Sequence, residues 1–323
     1  MNNPLTSAMR SIAGGLRYHY AHATHRGMVR EQNEDAVAIA EEVGLALIAD
    51  GMGGYNAGEV ASGLAAEFLI THLVDDLGQL NRQASAHESA PSQRLLHSLL
   101  RARVDGANDA IIDAANRDPD LSGMGTTLAL LLFTGPVATT LHVGDSRVYR
   151  LRDGVLSLLT RDHSLLQEQI DAGVLTPGEA RMSINRNFVT RALGVDVLAE
   201  PEINEYDLVP GDLYLICSDG LPDMLSDEEI YDLLRGPVDD DDFDHEMDGA
   251  AEVESADDHT ADRLVAEVAT LEEIAAKLVD AANGHGGRDN VSVVLASVGW
   301  SRDEGGPDEG LAIDRDKRAS RRA

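Results

Sequence analysis

The sequence predicts a fold that mixes short buried strands with amphipathic helices around one large core. Three observations predict it. Apolar runs too short for helices recur along the chain and end in turn signals, as in Gly44 to Ala49 (GLALIA) before Asp50-Gly51 and Asp212 to Cys217 (DLYLIC) before Ser218-Asp219-Gly220. Longer stretches repeat apolar residues at spacings of three and four, the period of a helix with one buried face. Residues 126–159 carry four apolar runs separated by turns, the pattern of a strand meander. With 323 residues, 43% of them hydrophobic, the chain is ample for such a core. Only 4% are aromatic, so that core rests on Ala, Val, Leu and Ile.

Taken in order, residues 1–17 read as a flexible leader and 18–300 as the folded domain. GLALIA is a buried strand. The glycine-rich turn after it leads into a helix, with Asn56 as its cap, Glu59 three residues on, and Val60, Leu64, Phe68 and Leu69 on one face. Residues 79–91 are polar and without pattern. Ser92 to Asn116 reads as a second amphipathic helix through Leu95, Leu96, Leu99, Leu100, Val104, Ile111 and Ile112. The meander follows as Thr126 to Phe133, Val137 to Val143, Arg147 to Leu151 and Val155 to Leu159, with Asp153-Gly154 turning the last hairpin. Asp162 to Gly194 is a polar, partly helical excursion. DLYLIC is the next strand, Ser226 caps a short helix to Arg235, Leu271 to Asn283 is another helix, and Asn290 to Val298 is a final strand. Residues 237–262 hold twelve Asp or Glu and no Lys or Arg, a density that predicts a disordered acidic insertion. Residues 301–323 read as a disordered, charged tail.

A net charge of -31 repels the phosphate backbone and argues against a nucleic-acid partner. It suits bound divalent cations or basic partners. One cysteine, Cys217, rules out an intramolecular disulfide and fits a reducing compartment. No signal peptide and no transmembrane run are legible, so the expectation is a cytoplasmic protein that does not engage a membrane.

The informative pattern is where carboxylates fall. Asp50, Asp145, Asp219 and Asp289 each lie at or beside the end of an apolar strand, and Asn33-Glu34-Asp35 precedes the apolar run 36–40. A carboxylate at a core edge is costly, and several converging ones repel each other. Divalent cations remove both problems. Oxygen ligands with no Cys and few His nearby point to Mg²⁺ or Mn²⁺ rather than zinc. The glycines after Asp50 and Asp219 allow sharp turns, where a main-chain carbonyl can also reach a metal. One Asp-Gly after a strand is usually only a turn; the co-occurrence of several is what carries weight.

Eight segments, in order, resemble the metal-dependent protein phosphatases of type 2C in their bacterial, stand-alone form. They are RGMVREQNEDAV (26–37), ADGMGGYNAGEVAS (49–62), GMGTTLALLL (123–132), VGDSRVYRLRDG (143–154), LTRDHSLLQEQIDAGVLTPGEA (159–180), VTRALG (189–194), CSDGLPDMLSDEEI (217–230) and GGRDNVSVVLAS (286–297). The resemblance implies an α+β fold, a four-layer α-β-β-α sandwich of two central antiparallel sheets flanked by helices, with metals in a cleft at one edge. It implies that Asp50 bridges two metals, that Glu34 and the Gly51 carbonyl complete one site, and that Asp219 and Asp289 complete the other. Asp145, with Asp219, matches a third-metal position. Asp35 and Asn290 match groups that orient metal-bound water, and Arg30 matches the arginine that grips the substrate phosphate.

The activity so implied is protein serine/threonine phosphatase. Two metals about 3.5–4 Å apart share a hydroxide that attacks phosphorus in line. The implied partners are phosphorylated proteins and a bacterial Ser/Thr kinase whose action is opposed. Some relatives carry a histidine after the Asp-Gly pair to protonate the leaving oxygen; this chain has Met52, so that proton needs another donor. Residues 162–194 match the flap beside the cleft, where Arg181, Arg186 and Arg191 could meet a phosphoprotein or merely be solvated. A cysteine phosphatase would need an arginine six residues beyond Cys217, where Asp223 stands. Ser218 lacks a nucleophile-elbow pattern, and His163 reads as structural. A catalytically dead relative would lack Asp50, Asp219 or Asp289, and none is missing. A phosphoesterase for small molecules is the remaining competitor, since fold does not fix substrate.

Overall fold

Alternate residues of the central strands face two different apolar layers, and this explains why the strands read as continuous hydrophobic runs. In β3 (Leu45–Met52), Leu45, Leu47 and Ala49 face helices, whereas Ala46 and Ile48 face the opposite sheet. The computed structural model describes residues 16–54, 57–87, 92–181, 183, 188–235 and 259–300.

The first sheet runs β1 (Leu16–His25), β11 (Val291–Trp300), β10 (Leu213–Cys217), β7 (Arg147–Arg152), β8 (Val155–Leu158). The second runs β2 (Asp35–Ala40), β3, β5 (Leu128–Thr134), β6 (Val137–Val143), β9 (Glu202–Asp207), with β4 (Gly125–Thr126) on the end of β3. Every pairing is antiparallel. Helices α1 (Ala57–His87) and α2 (Gln93–Arg117) cover the second sheet, and α5 (Asp227–Arg235) and α6 (His259–Gly284) cover the first. The result is the four-layer α-β-β-α sandwich. Short helices α3 (Leu165–Asp171) and α4 (Pro177–Arg181) lie in the segment between β8 and β9.

Between the sheets, Phe133 stacks on Tyr18 with ring centroids 4.4 Å apart and meets Tyr214 edge-on at 5.4 Å. With so few aromatic residues in the chain, this cluster places two of the largest fully buried side chains, Phe133 and Tyr214, at one point of the inner layer.

Several boundaries differ from the sequence reading. Strand β1 begins at Leu16, inside the expected leader, and pairs along its whole length with β11. Strand β9 (EINEYD) has no counterpart in the sequence reading; it is an edge strand with polar side chains, where alternation is weakest. Helix α1 continues through 79–87, which had shown no pattern. By length and composition its span Ala57–Arg82 could cross a membrane, with mean hydropathy 1.2. Ala61, Ala65, Leu69, Leu73 and Leu77 are instead buried in the core against β3 and α2. The expected cap Asn56, acidic residues 237–258 and the tail 301–323 lie outside the described residues, and the end of the acidic segment, from His259, is helical. Ser226 does cap α5, accepting from the Glu229 amide at 3.3 Å while Glu229 Oε2 accepts from the Ser226 amide at 2.8 Å.

The aromatic cluster gives a direct test of the inter-sheet layer. Phe133→Ala should lower unfolding stability by about 3–5 kcal/mol in urea titrations. A loss under 1 kcal/mol would mean that the sheets do not pack through this ring.

Candidate metal centre

Strand polarity gathers the acidic residues at one end of the sandwich. Asp35 opens β2 and Asp50 lies near the end of β3, and the two are directly opposite in the ladder. Asp145 stands in the turn from β6 to β7, Asp219 just past β10, and Asp289 just before β11. Since β10 ends where β11 and β7 begin, with Cys217 opposite Val293 and Arg147, these termini share one edge. The sheets face each other, so both sets of carboxylates converge.

Close backbone packing sets their positions. A Cβ on Gly51 would lie 2.1 Å from the Gly58 carbonyl oxygen and 2.6 Å from that of Glu34. One on Gly220 would lie 1.9 Å from the Asn290 carbonyl oxygen. Only glycine lets the Asp50 and Asp219 turns approach their neighbours this closely. Gly51 N–H donates to the Glu34 carbonyl at 3.1 Å, and the Ser62 hydroxyl donates to the same oxygen at 2.6 Å. The start of α1 therefore holds the Glu34 loop in place.

Asn290 is almost wholly used by backbone groups. Its Oδ1 accepts from Glu34 N–H at 2.8 Å, and its Nδ2 donates to the carbonyls of Gln32 at 2.8 Å and Arg26 at 3.1 Å. What these bonds give it is the anchoring of residues 26–34, and so of Glu34 and Arg30, to the head of β11. Arg30 reaches across to Asp289, Nη2 to Oδ2, at 2.7 Å.

Thr127 is a residue whose part the sequence reading missed. Its hydroxyl accepts from Asp50 N–H at 3.1 Å and pairs with the Ser146 hydroxyl at 2.7 Å. One buried side chain thereby ties the Asp50 strand to the Asp145 turn. The second threonine of GMGTT was its only trace in the sequence.

The electrostatics are those of a cluster short of positive charge. Burial, then the charges of Asp35, Asp219, Asp145 and Asp289, hold the Asp50 carboxyl well above the usual range. Burial, then Asp145, Asp223, Asp289 and Asp35, do the same to Asp219. Burial raises Asp145 to about 7 with help from Asp162, and raises Asp35 to about 6 against hydrogen bonds from Ser292 and Ser218. Glu34 is also raised, by burial first, with Asp289 and Glu59 adding and Arg30 opposing. Asp35 Oδ2 accepts from the Ser218 hydroxyl at 2.9 Å, whereas its buried Oδ1 has no hydrogen-bond partner. An orphaned buried carboxylate oxygen amid like charges fits hard divalent cations with their bound water.

Other candidates fall away. Cys217 is fully buried beneath α5 and α6, and burial pushes its thiol up to about 12, the opposite of an activated nucleophile. Ser218 spends its hydroxyl on Asp35 and accepts from Ser292 N–H at 3.0 Å. Of the three flap arginines, Arg186 and the side chain of Arg181 lie outside the described residues. Arg191 is exposed and approaches His163 Nε2 at 3.4 Å.

The protein phosphatase 2C family model matches residues 23–266. The serine/threonine protein phosphatase PstP of Mycobacterium tuberculosis is 39% identical over 280 residues, 86% of this chain and 45% of PstP, so the chain spans less than half of that relative. The serine/threonine phosphatase stp of Listeria monocytogenes is 30% identical over 280 residues, covering 86% of this chain and 94% of the relative. The crystal structure of the Mycobacterium tuberculosis phosphatase PstP/Ppp superposes with a TM-score of 0.68 at 37% identity, covering 87% of this chain and 98% of that one. The PstP catalytic domain in complex with two manganese ions superposes at 0.65, with 36% identity, over 88% of this chain and 99% of that one.

The raised carboxyls carry a pH signature. A carboxyl whose pKa is higher folded than unfolded favours the folded state below its unfolded pKa, and that benefit is lost as pH rises through the folded value. For Asp35, raised to about 6, the loss is on the order of 3 kcal/mol between pH 4 and 6. Chelator-treated protein should therefore melt several degrees lower at pH 7.5 than at pH 5, and Mn²⁺ should abolish most of that difference. Equal melting temperatures without metal would mean that the carboxylates do not converge.

Proposed function

The chain belongs to the protein phosphatase 2C family, and from that premise we propose that it is a metal-dependent hydrolase that removes phosphate from phosphoserine and phosphothreonine in other proteins. The observation that carries this reading is the convergence of Asp50, Asp219, Asp289 and Asp145 with Glu34 at one edge of the sandwich, with Asp35 holding an orphaned oxygen among them.

In this reading Asp50, Glu34 and the Gly51 carbonyl would hold one cation, Asp50, Asp219 and Asp289 a second, and Asp145 with Asp219 would offer a third position. The ions are Mn²⁺ or Mg²⁺; two manganese ions in the related PstP domain support that donor chemistry. When bound, they supply positive charge for the phosphoryl oxygens and an acidified water for attack on phosphorus. The chain's own residues do the rest. Arg30, half-exposed at the rim, is in place to take two phosphoryl oxygens in its planar fork while Asp289 orients its other edge. Ser218 and Ser292 fix the Asp35 carboxylate, leaving its free oxygen to accept from a water. The Ser146–Thr127–Asp50 bonds keep the Asp145 turn and β3 at constant spacing.

Substrates are phosphoproteins in the cytoplasm, and the opposing activity is a Ser/Thr protein kinase. A net charge of -31 argues against nucleic acid as a ligand. The burial of α1 in the core supports a chain that does not use that helix in a membrane. The domain so defined spans 16–300, from the first residue of β1 to the last of β11, with acidic residues 237–258 falling between α5 and α6.

Phosphate release from a phosphothreonine peptide, with Mn²⁺ added back after chelation, tests this. Release should require metal, and Asp219→Ala should lose more than the roughly 10–100-fold that removal of an outer partner costs. No release from folded protein at any metal concentration would overturn the reading, and equal turnover of free phosphoserine would move it to small molecules.

A further inference from the structure

Outside the carboxylate cluster, a second group of titratable side chains meets where β6 ends. The donor atoms of His142, His163 and Glu202 lie within 4.8 Å of one another, the first two residues buried. They do not make a metal centre. Gly144 N–H donates to His163 Nδ1 at 3.2 Å, which occupies that lone pair, and the Arg191 guanidinium lies 3.4 Å from Nε2, where its charge opposes a cation. The ring is neutral, because burial first, then His142 and Arg191, lower it to about 4. The two rings also stack, with centroids 4.6 Å apart and 22° between planes, so their lone pairs do not converge.

His163 grips Gly144 from both sides. Beyond the Nδ1 contact, its own N–H donates to the Gly144 carbonyl at 2.9 Å. Gly144 has φ +103°, and a Cβ there would sit 2.7 Å from the Thr127 side chain. It is the residue that swings the chain from β6 into Asp145. The His163 carbonyl accepts from Thr190 N–H at 2.8 Å, and its neighbour Ser164 bridges to Val189. One residue thus joins the Asp145 turn to both ends of the 162–194 segment.

We propose that His163 is a positioning residue that fixes Asp145 for cation binding and couples that binding to the order of residues 189–193. This rests on the assignment of Asp145 as a ligand. The segment carrying His163 is docked independently by the Arg147–Asp162 ion pair, Nη2 to Oδ2 at 2.7 Å, and by His142 Nε2 donating to the Arg161 carbonyl at 2.8 Å. Losing the imidazole therefore removes the bond to Gly144 N–H without releasing the segment. Asparagine keeps an acceptor near the Nδ1 position; glutamine places its amide one bond too far.

The test is calorimetric Mn²⁺ titration of chelated wild type, Asp145→Asn, His163→Asn and His163→Gln, with deuterium uptake of 189–193 with and without Mn²⁺. His163→Gln should weaken the binding step that Asp145→Asn removes by roughly 10-fold or more, and His163→Asn should retain it. Mn²⁺ should slow uptake at 189–193 in wild type and His163→Asn but not in His163→Gln. Wild-type affinity in His163→Gln, with the step lost in Asp145→Asn, overturns the positioning role while leaving the ligand assignment intact. All steps surviving in Asp145→Asn removes the ligand assignment and this proposal with it. Unchanged uptake in wild type on adding Mn²⁺ overturns the coupling whatever the variants do.

Discussion

Mutual repulsion among carboxylates held at one end of two facing sheets is the constraint on which this structure turns. Asp35, Asp50, Asp145 and Asp219 sit on or beside rigid strands, so they cannot relax apart without breaking ladders that also form the core. Burial and proximity raise all four. A fold that keeps them there needs compensating positive charge, and among the described residues Arg30 on Asp289 and Arg147 near Asp145 supply only part of it. Divalent metal is the compensation whose ligand chemistry suits oxygen donors alone.

The scaffold meets that constraint by rigidity. The inter-sheet layer is filled by Phe133, Tyr214 and aliphatic side chains, and each sheet is sealed outside by a helix pair. Loops at the site are pinned by backbone contact at glycines and by polar side chains spent wholly on neighbouring backbone, as Asn290 is. Thr127 and His163 extend the same device to the Asp145 turn. The charged groups are thus held by neutral ones, which do not add to the repulsion.

The interior strands were legible because both faces of each are apolar, and the helices because their stripes face a sheet. Two of the edge strands were not, although the edge strands β8 and β2 had shown as the runs 155–159 and 36–40. β1 and β9 mix polar and apolar residues, and only pairing with β11 and β6 reveals them. The last turns of α1 carry too few apolar residues to show a stripe. At the site, carboxylates at strand ends were visible as a pattern, and their assignment to particular metals came from resemblance to a family. The parts of Thr127 and His163 were hidden because a hydroxyl or imidazole that holds a backbone amide leaves no periodic signal; it is a tertiary fact. The anchoring task of Asn290 was hidden for the same reason.

Anomalous diffraction at the manganese edge, from crystals grown with Mn²⁺, tests the central claim most directly. The account predicts peaks against the Asp50 carboxylate, shared on one side with Glu34 and on the other with Asp219 and Asp289. A peak between His142, His163 and Glu202 with none at Asp50 would contradict it.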